Sequence, residues 1–296
     1  MASHPLLDSV APGTMSVDEA FAYCERMARE HYENFPVGSL LVPKELRRHV
    51  HSIYAFSRIA DDIADEGAMA VAERIELLDD WERQLVEACA GRASHPVFIA
   101  LAATVAERDI PIDPLRHLLR AFRMDARNEG FQTLSDLLYY CYHSANPIGR
   151  LVLHLFGIYD EERRILSDKI CSGLQIANFL QDLSVDPARG RINLPRDSFE
   201  HFGYTVAELE RGVVNDAFRE MIAYHVDHAM NLFQEGYPLL RKIPQRRLRS
   251  ELTLTFLGGV RVLHRIKALD YDVLSSRPKL GWRDKAWILS KMGTAG

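Results

Sequence analysis

The chain of 296 residues has no run approaching the ~18 consecutive apolar residues of a transmembrane helix. Its best stretch, Leu252–Leu263, is interrupted by Arg261. Cysteine is scarce: Cys24, Cys89, Cys141 and Cys171 stand far apart with no CxxC. That spacing excludes a disulfide framework or a zinc ribbon, and buried, reduced thiols are the expectation. A basic excess is also missing. The 36 Lys and Arg face 41 Asp and Glu, a net charge of −5, which argues against a general nucleic-acid binder. There is no G-x-G, hence no dinucleotide-binding fingerprint. No Gly/Ser-rich linker, low-complexity tract or repeat divides the chain. The opening MASHPLLDSVAPGTMS lacks the basic start and apolar core of a signal peptide, so a cytoplasmic protein with a flexible stretch over 1–15 is expected.

What is present is helical periodicity. Ser16-Val17-Asp18-Glu19 reads as a capping box opening a helix to about Glu33, and Pro43 suits the first turn of a helix reaching Asp65. In the latter, Leu46, Val50, Ile53, Ser57 and Ala60 recur at steps of three and four. The pattern predicts further helices over 69–90, 94–107, 114–127, 133–157, 161–184, 205–211, 216–241, 248–275 and 282–291. Thr205-Val206-Ala207-Glu208 offers a second capping box, and Pro147 should kink the helix that contains it near Asn146. Strand alternation is hard to find. The fold class is all-α, with residues 16–296 read as one domain in spite of a length that suits two.

Two helices carry acidic clusters in apolar surroundings. On the first, Asp61 and Asp65 lie four apart, ~6 Å along the axis, with Arg58 one turn earlier and Ile59, Ala60, Ile63 and Ala64 around them. On the second, Asn178, Asp182 and Asp186 form a stripe flanked by Ile176, Phe179, Leu180, Leu183 and Val185. Packed carboxylates need counter-charge. Oxygen-only donors on two helices suit Mg²⁺, which prefers carboxylates, water and phosphate oxygens to His or Cys. Setting aside Asp61, Asp62, Asp65, Asp182 and Asp186 leaves 36 acids against 36 bases, so the acidic excess is numerically the size of the proposed metal site.

These residues carry a resemblance. Ala55-Phe56-Ser57-Arg58 ahead of Asp61-Asp62-Ile-Ala-Asp65, the run Asn178-Phe-Leu-Gln-Asp182-Leu-Ser-Val-Asp186, Met124-Asp125 ahead of Tyr139–Tyr142, and Gly190–Pro195 together resemble the squalene/phytoene synthase family over about 17–277. Within it, His31–Ser39, His143–Arg150 and Gln181–Asp186 are most similar to the bacterial hopanoid-pathway hydroxysqualene synthases. The chain departs from the family pattern at Gln181 and Val185, where Arg and Glu are usual, at Asn193 in place of Tyr, and at Gly130-Phe131 in place of an Arg-Tyr pair. The first two departures fit the hydroxysqualene branch.

The resemblance implies a single-domain isoprenoid-synthase bundle with an apolar cavity, lined by Phe179 and the helix around Tyr142. It also implies a prenyl diphosphate substrate held through Mg²⁺ by both Asp motifs. The hydroxysqualene branch ionises presqualene diphosphate, rearranges the cyclopropylcarbinyl cation and quenches it with water. On that reading Asp61, Asp65, Asp182 and Asp186 are metal ligands, and Asn178 is a ligand or diphosphate donor. Asp62 either binds metal through water or faces solvent. Arg58 is a diphosphate clamp or an ion-pair partner of Asp61 or Asp62. Arg191 is part of a lid or a solvated loop residue, and Ser39 is a diphosphate donor or a turn residue. Tyr54, Tyr142, His143 and Asn146 are candidates for steadying the cation or holding the attacking water.

Outside the motifs, His225 and His228 read as surface histidines rather than a zinc site. The basic run Arg241–Arg249 reads as a solvated turn or as loose peripheral contact with anionic membrane. Hand-over of the product to other squalene-pathway enzymes also follows from the resemblance. The alternatives are a head-to-head prenyltransferase acting on farnesyl or geranylgeranyl diphosphate, and a catalytically degenerate scaffold protein.

Overall fold

The structure, a computed structural model, describes residues 15–30, 42–65, 67–184 and 191–292. Among them every regular element is an α-helix, as the periodicity predicts. The chain groups into two compact units, 1–127 with 151–158 and 128–150 with 159–296. The expected flexible stretch over 1–15 lies outside the described residues but for its last position.

The first unit contains α1 (Val17–Glu30), α2 (Lys44–Asp65), α3 (Val71–Cys89), α4 (Pro96–Arg108) and α5 (Asp113–Arg127). Helix α2 packs against each of the other four. Its stripe Leu46, Val50, Ile53, Phe56, Ile59, Ile63 is buried, as steps of three and four require. Phe56, Trp81 and Phe98 form the aromatic core, with the Trp81 and Phe98 rings 4.3 Å apart. The buried indole N–H of Trp81 donates to the Phe56 carbonyl at 3.3 Å, so the polar handle of this large side chain is satisfied. The predicted capping box at α1 is present: Glu19 N–H donates to Ser16 Oγ at 3.3 Å and Ser16 N–H to Glu19 Oε2 at 2.8 Å.

The second unit contains α6 (Leu134–Ser144), the start of α7 (Asn146–Leu155), α8 (Glu161–Asp182), α9 (Arg196–Phe202) and α10 (Val206–Glu210). It continues with α11 (Asp216–Gly236), α12 (Leu239–Lys242), α13 (Arg246–Ala268) and α14 (Trp282–Met292). Helices α8 and α11 run antiparallel. Gly173 meets Ala229 and Phe233, while Ile170 and Leu166 meet Gly236. The second predicted capping box also forms, Thr205 with Glu208.

Several expectations are corrected. The segment 133–157 is two helices: α6 ends at Ser144, and Pro147 is the second residue of α7. A proline in the first turn removes no intrahelical hydrogen bond, so the chain restarts instead of kinking. The 216–241 helix divides at Tyr237-Pro238 into α11 and α12. The 248–275 helix ends at Ala268, where Asp270 and Tyr271 take left-handed conformations. Helix α9 was not predicted, being only 7 residues long behind Pro195.

His225 is a core residue with no exposure, not a surface one, and its Nε2 lies 3.0 Å from Ser198 Oγ. Cys24 and Cys141 are buried as expected, but Cys89 is exposed at the end of α3. In the basic run, Lys242 pairs with Glu162 at 2.9 Å and Arg249 donates to the Ile243 carbonyl, while Arg246 and Arg247 are exposed.

Candidate active site

The first acidic cluster occupies the end of α2. Arg58 reaches along the helix to both acids: its Nη2 is 2.5 Å from Asp62 Oδ1 and its Nη1 is 3.6 Å from Asp61 Oδ2. Asp62 is the more enclosed of the two, 20% exposed at its side chain against 48% for Asp61. Asp62 therefore makes an ion pair, the role foreseen for Arg58's partner, and does not simply face solvent. Asp65 is exposed in the last turn. One turn before Arg58, half-buried Tyr54 has its hydroxyl pKa raised, chiefly by burial. Arg58 opposes that shift and Asp62 and Asp61 add to it, which places Tyr54 within the field of the cluster.

The helix end under these acids is held by Arg74, which the sequence reading missed. Its guanidinium donates to the carbonyls of Ile63 at 2.7 Å and Gly67 at 2.8 Å. Those carbonyls belong to the turn where helical partners run out. Helix α2 has no basic residue in its last turn. Arg74 supplies, from α3, a cation that its own sequence lacks.

In the second unit, α6, α7 and α8 bring another set together. His143 is buried between two tyrosines, edge-on to Tyr139 at 4.6 Å and Tyr142 at 5.2 Å. Arg150 lies over the Tyr142 ring at 4.3 Å and forms a two-pronged pair with Asp168, Nε–Oδ1 3.0 Å and Nη2–Oδ2 2.7 Å. Burial acts to lower the Arg150 pKa, but Asp168 and Tyr142 outweigh it and raise it. Asn146 is buried and its Oδ1 accepts from Ser172 Oγ at 3.0 Å. These contacts need α7 and α8 to approach closely at Gly149, where any Cβ would strike Ser167 Oγ and Cys171 Sγ. The segment His143–Arg150 is thus a docking motif against α8 as well as a site candidate.

Asp182 ends α8, again with no basic residue in the last turn of the helix. Its Oδ1 is 2.6 Å from Arg277 Nη2, and neighbouring Gln181 donates to the Pro278 carbonyl at 2.5 Å. Arg277 was not predicted; it follows α13 and has no local signal tying it to α8. Asn178 is exposed, one turn before Asp182, and Arg191 is half-buried. Asp186 and Ser39 lie outside the described residues. Phe179, expected along the apolar lining, packs with Tyr140 at 5.8 Å and Phe131 at 6.0 Å. The departure at Phe131 therefore has a physical role, since it fills this aromatic cluster and is buried. The structure brings Tyr54, Arg58, Asp61 and Asp62 together on α2, Tyr142 and His143 on α6, and Asn178 with Asp182 on α8.

Comparison with known proteins gives this arrangement a setting. The squalene/phytoene synthase family model matches residues 28–284. The crystal structure of squalene synthase HpnC from Alicyclobacillus acidocaldarius superposes with a TM-score of 0.81 at 44% identity, covering 86% of this chain and 95% of that one. A dehydrosqualene synthase structure shares the fold, with a TM-score of 0.79 at 24% identity over 94% of this chain and 96% of that one. Among curated relatives, the 15-cis-phytoene synthase of Synechocystis sp. is 28% identical over 94% of this chain and 87% of its own. The acids on α2 and α8, on an all-α scaffold matched along most of its length, place the chain in the squalene/phytoene synthase family of head-to-head isoprenoid synthases.

Proposed function

We propose that the chain is a hydroxysqualene synthase, converting presqualene diphosphate and water into hydroxysqualene and diphosphate. The observation that carries the diphosphate chemistry is that α2 and α8 both finish on oxygen donors, in last turns without a basic residue. A helix is negative at that end, so each carboxylate there costs ~0.3–1 kcal/mol unless a cation joins it. The higher identity to the squalene synthase HpnC, 44% against 28% for a phytoene synthase, supports the squalene branch.

The donors fit Mg²⁺: they are oxygens only, and those of Asp61 and Asp65 are open to solvent. Mg²⁺ is bound through one or two carboxylates and keeps waters and substrate phosphates as its other ligands. Asp61, Asp62 and Asp65 of the first unit would hold such an ion, and so, separately, would Asn178, Asp182 and Asp186 of the second. When bound it offsets the negative charge of the departing diphosphate.

The chain's own groups do the remainder. Arg58, Arg191 and Ser39 donate to the diphosphate oxygens. The ring faces of Tyr54 and Tyr142 favour a nearby carbocation; one face of Tyr142 already carries the Arg150 guanidinium at 4.3 Å, so its other face is the one offered. Asn146, its carbonyl oxygen already engaged by Ser172, offers its amide N–H to the attacking water. Buried His143 packs against Tyr142 and keeps bulk water out. A hydrocarbon alcohol is poorly soluble, so direct hand-over to a following squalene-pathway enzyme accords with this product.

Incubation with presqualene diphosphate and Mg²⁺, with products identified by mass, tests the reading. Hydroxysqualene is expected, and none without the metal. Rapid use of farnesyl or geranylgeranyl diphosphate, with none of presqualene diphosphate, would instead establish a head-to-head prenyltransferase. The similarity to the phytoene synthases favours that second reading.

A further inference from the structure

Helix α14 is anchored by one face only. Asp284 is buried, bonded to Arg261 Nε at 2.7 Å and to the Gly281 N–H at 2.8 Å. Ile288 is buried on the same side, and the Trp287 ring lies against Arg261 at 5.1 Å and His264 at 6.0 Å. The opposite face presents Trp282, Ala286 and Leu289 at i, i+4 and i+7, with Trp282 75% and Leu289 65% exposed. No other large apolar side chain among the described residues stands further out than these two.

The charges around this stripe are of one sign. Residues 277–292 contain Arg277, Lys279, Arg283, Lys285 and Lys291, and the single acid Asp284 is turned inward. Arg277 is engaged by Asp182, while Lys279, Arg283, Lys285 and Lys291 are exposed, and of these Arg283 and Lys285 flank the apolar stripe on the helix. Arg283 lies over the Trp282 ring at 5.3 Å, so a cation and an amphipathic aromatic are presented together.

We propose that α14 is a docking surface for an anionic lipid bilayer. Trp282 and Leu289 enter the boundary between headgroups and acyl chains, while Arg283 and Lys285 meet lipid phosphates. Three apolar side chains on a short helix are too few for a stable protein interface, which takes ~800 Å² from each partner. They are enough for an interfacial helix, whose binding adds shallow apolar burial to attraction for anionic headgroups. Tryptophan is favoured at that depth because its ring is apolar and its N–H stays hydrated. This places membrane contact on α14 instead of the Arg241–Arg249 run, and it does not depend on which reaction the chain performs.

The test is co-sedimentation of the full chain with phosphatidylcholine vesicles, with and without phosphatidylglycerol. Binding is expected only where phosphatidylglycerol is present, and it should weaken as salt is added. Trp282→Ala with Leu289→Ala should lower the affinity by more than about tenfold. Arg283→Glu with Lys285→Glu should lower it by a similar factor, whereas Arg246→Glu with Arg247→Glu should leave it unchanged. All of these side chains are exposed, so the thermal midpoint of each variant reports that folding is intact. Brominated lipid should quench tryptophan emission in the parent and far less in Trp282→Ala. The proposal is overturned by an absence of binding, by binding that survives the α14 changes, or by binding lost only with Arg246 and Arg247. It is equally overturned if the α14 variants abolish a vesicle-independent dimer in solution, since a second copy would then be the occupant.

Discussion

Asp61 and Asp65 stand where electrostatics disfavours them, near each other and close to the negative end of α2. Replacing either with Asn removes one of two like charges at the negative end of α2, and at Asp61 it also weakens the 3.6 Å contact with Arg58. The expected result of Asp61→Asn or Asp65→Asn is a divergence between two assays. The unfolding midpoint changes little, while turnover of the prenyl diphosphate falls on the order of 10²-fold or more. Equal losses of both would assign these acids to the fold alone. The spacing of four made these residues legible, because helical periodicity is a local property. The partners that restrain them were not: Arg74 reaches Ile63 from α3, and Arg277 reaches Asp182 from beyond α13. Such pairings are set by packing, and nothing in the neighbouring sequence announces them.

Most helices could be read from their apolar steps and their end residues, and both expected capping boxes are in place. The misreadings occurred at Pro147 and Pro238. There an apolar pattern runs across a boundary that only backbone geometry reveals. How two helices approach is equally hidden, since it depends on what is absent from a side chain. Gly236 on α11 is the sharpest case. A Cβ there would stand 2.6 Å from Ile170 Cγ1 and 2.9 Å from the Leu166 carbonyl oxygen, and a backbone atom cannot swing aside. Gly236→Ala should therefore cost about 1–3 kcal/mol by forcing α8 and α11 apart, despite alanine's better helix propensity. Denaturant unfolding measures this, and a stabilised variant would mean that the helices yield easily.

For the molecule as a whole, six of its histidines tie stability to pH. Burial holds His225 down at about 4, with His228 adding to the shift, against 6.5 for a free imidazole. His49, His51, His154, His228 and His264 are displaced in the same direction, each chiefly by burial. The unfolded chain takes up protons below 6.5 that the folded chain refuses, so stability is full above that value and declines as pH falls toward 4. The urea midpoint should drop between about pH 7 and about pH 5, and drop less in a His225→Gln variant. A midpoint independent of pH over that interval would contradict this account. None of it could be read from composition, because the basic term is the burial of individual rings, and His225 itself had the look of a surface residue.

Arg277 already holds Asp182 when any other cation arrives. A carboxylate oxygen that already has a guanidinium at 2.6 Å takes another cation only by exchange, so the affinity at Asp182 Oδ1 is an intrinsic affinity divided by the strength of a rival. For a half-exposed pair that rival is worth ~0–1 kcal/mol. Removing it in Arg277→Gln should tighten Mg²⁺ binding in the absence of substrate by up to about fivefold, as read by calorimetric titration. Added salt should narrow the gap between parent and variant, because it weakens the incumbent first. If Asp182 is a metal ligand as proposed, the segment after α13 competes with the metal, and an ion entering there would set Arg277 at liberty.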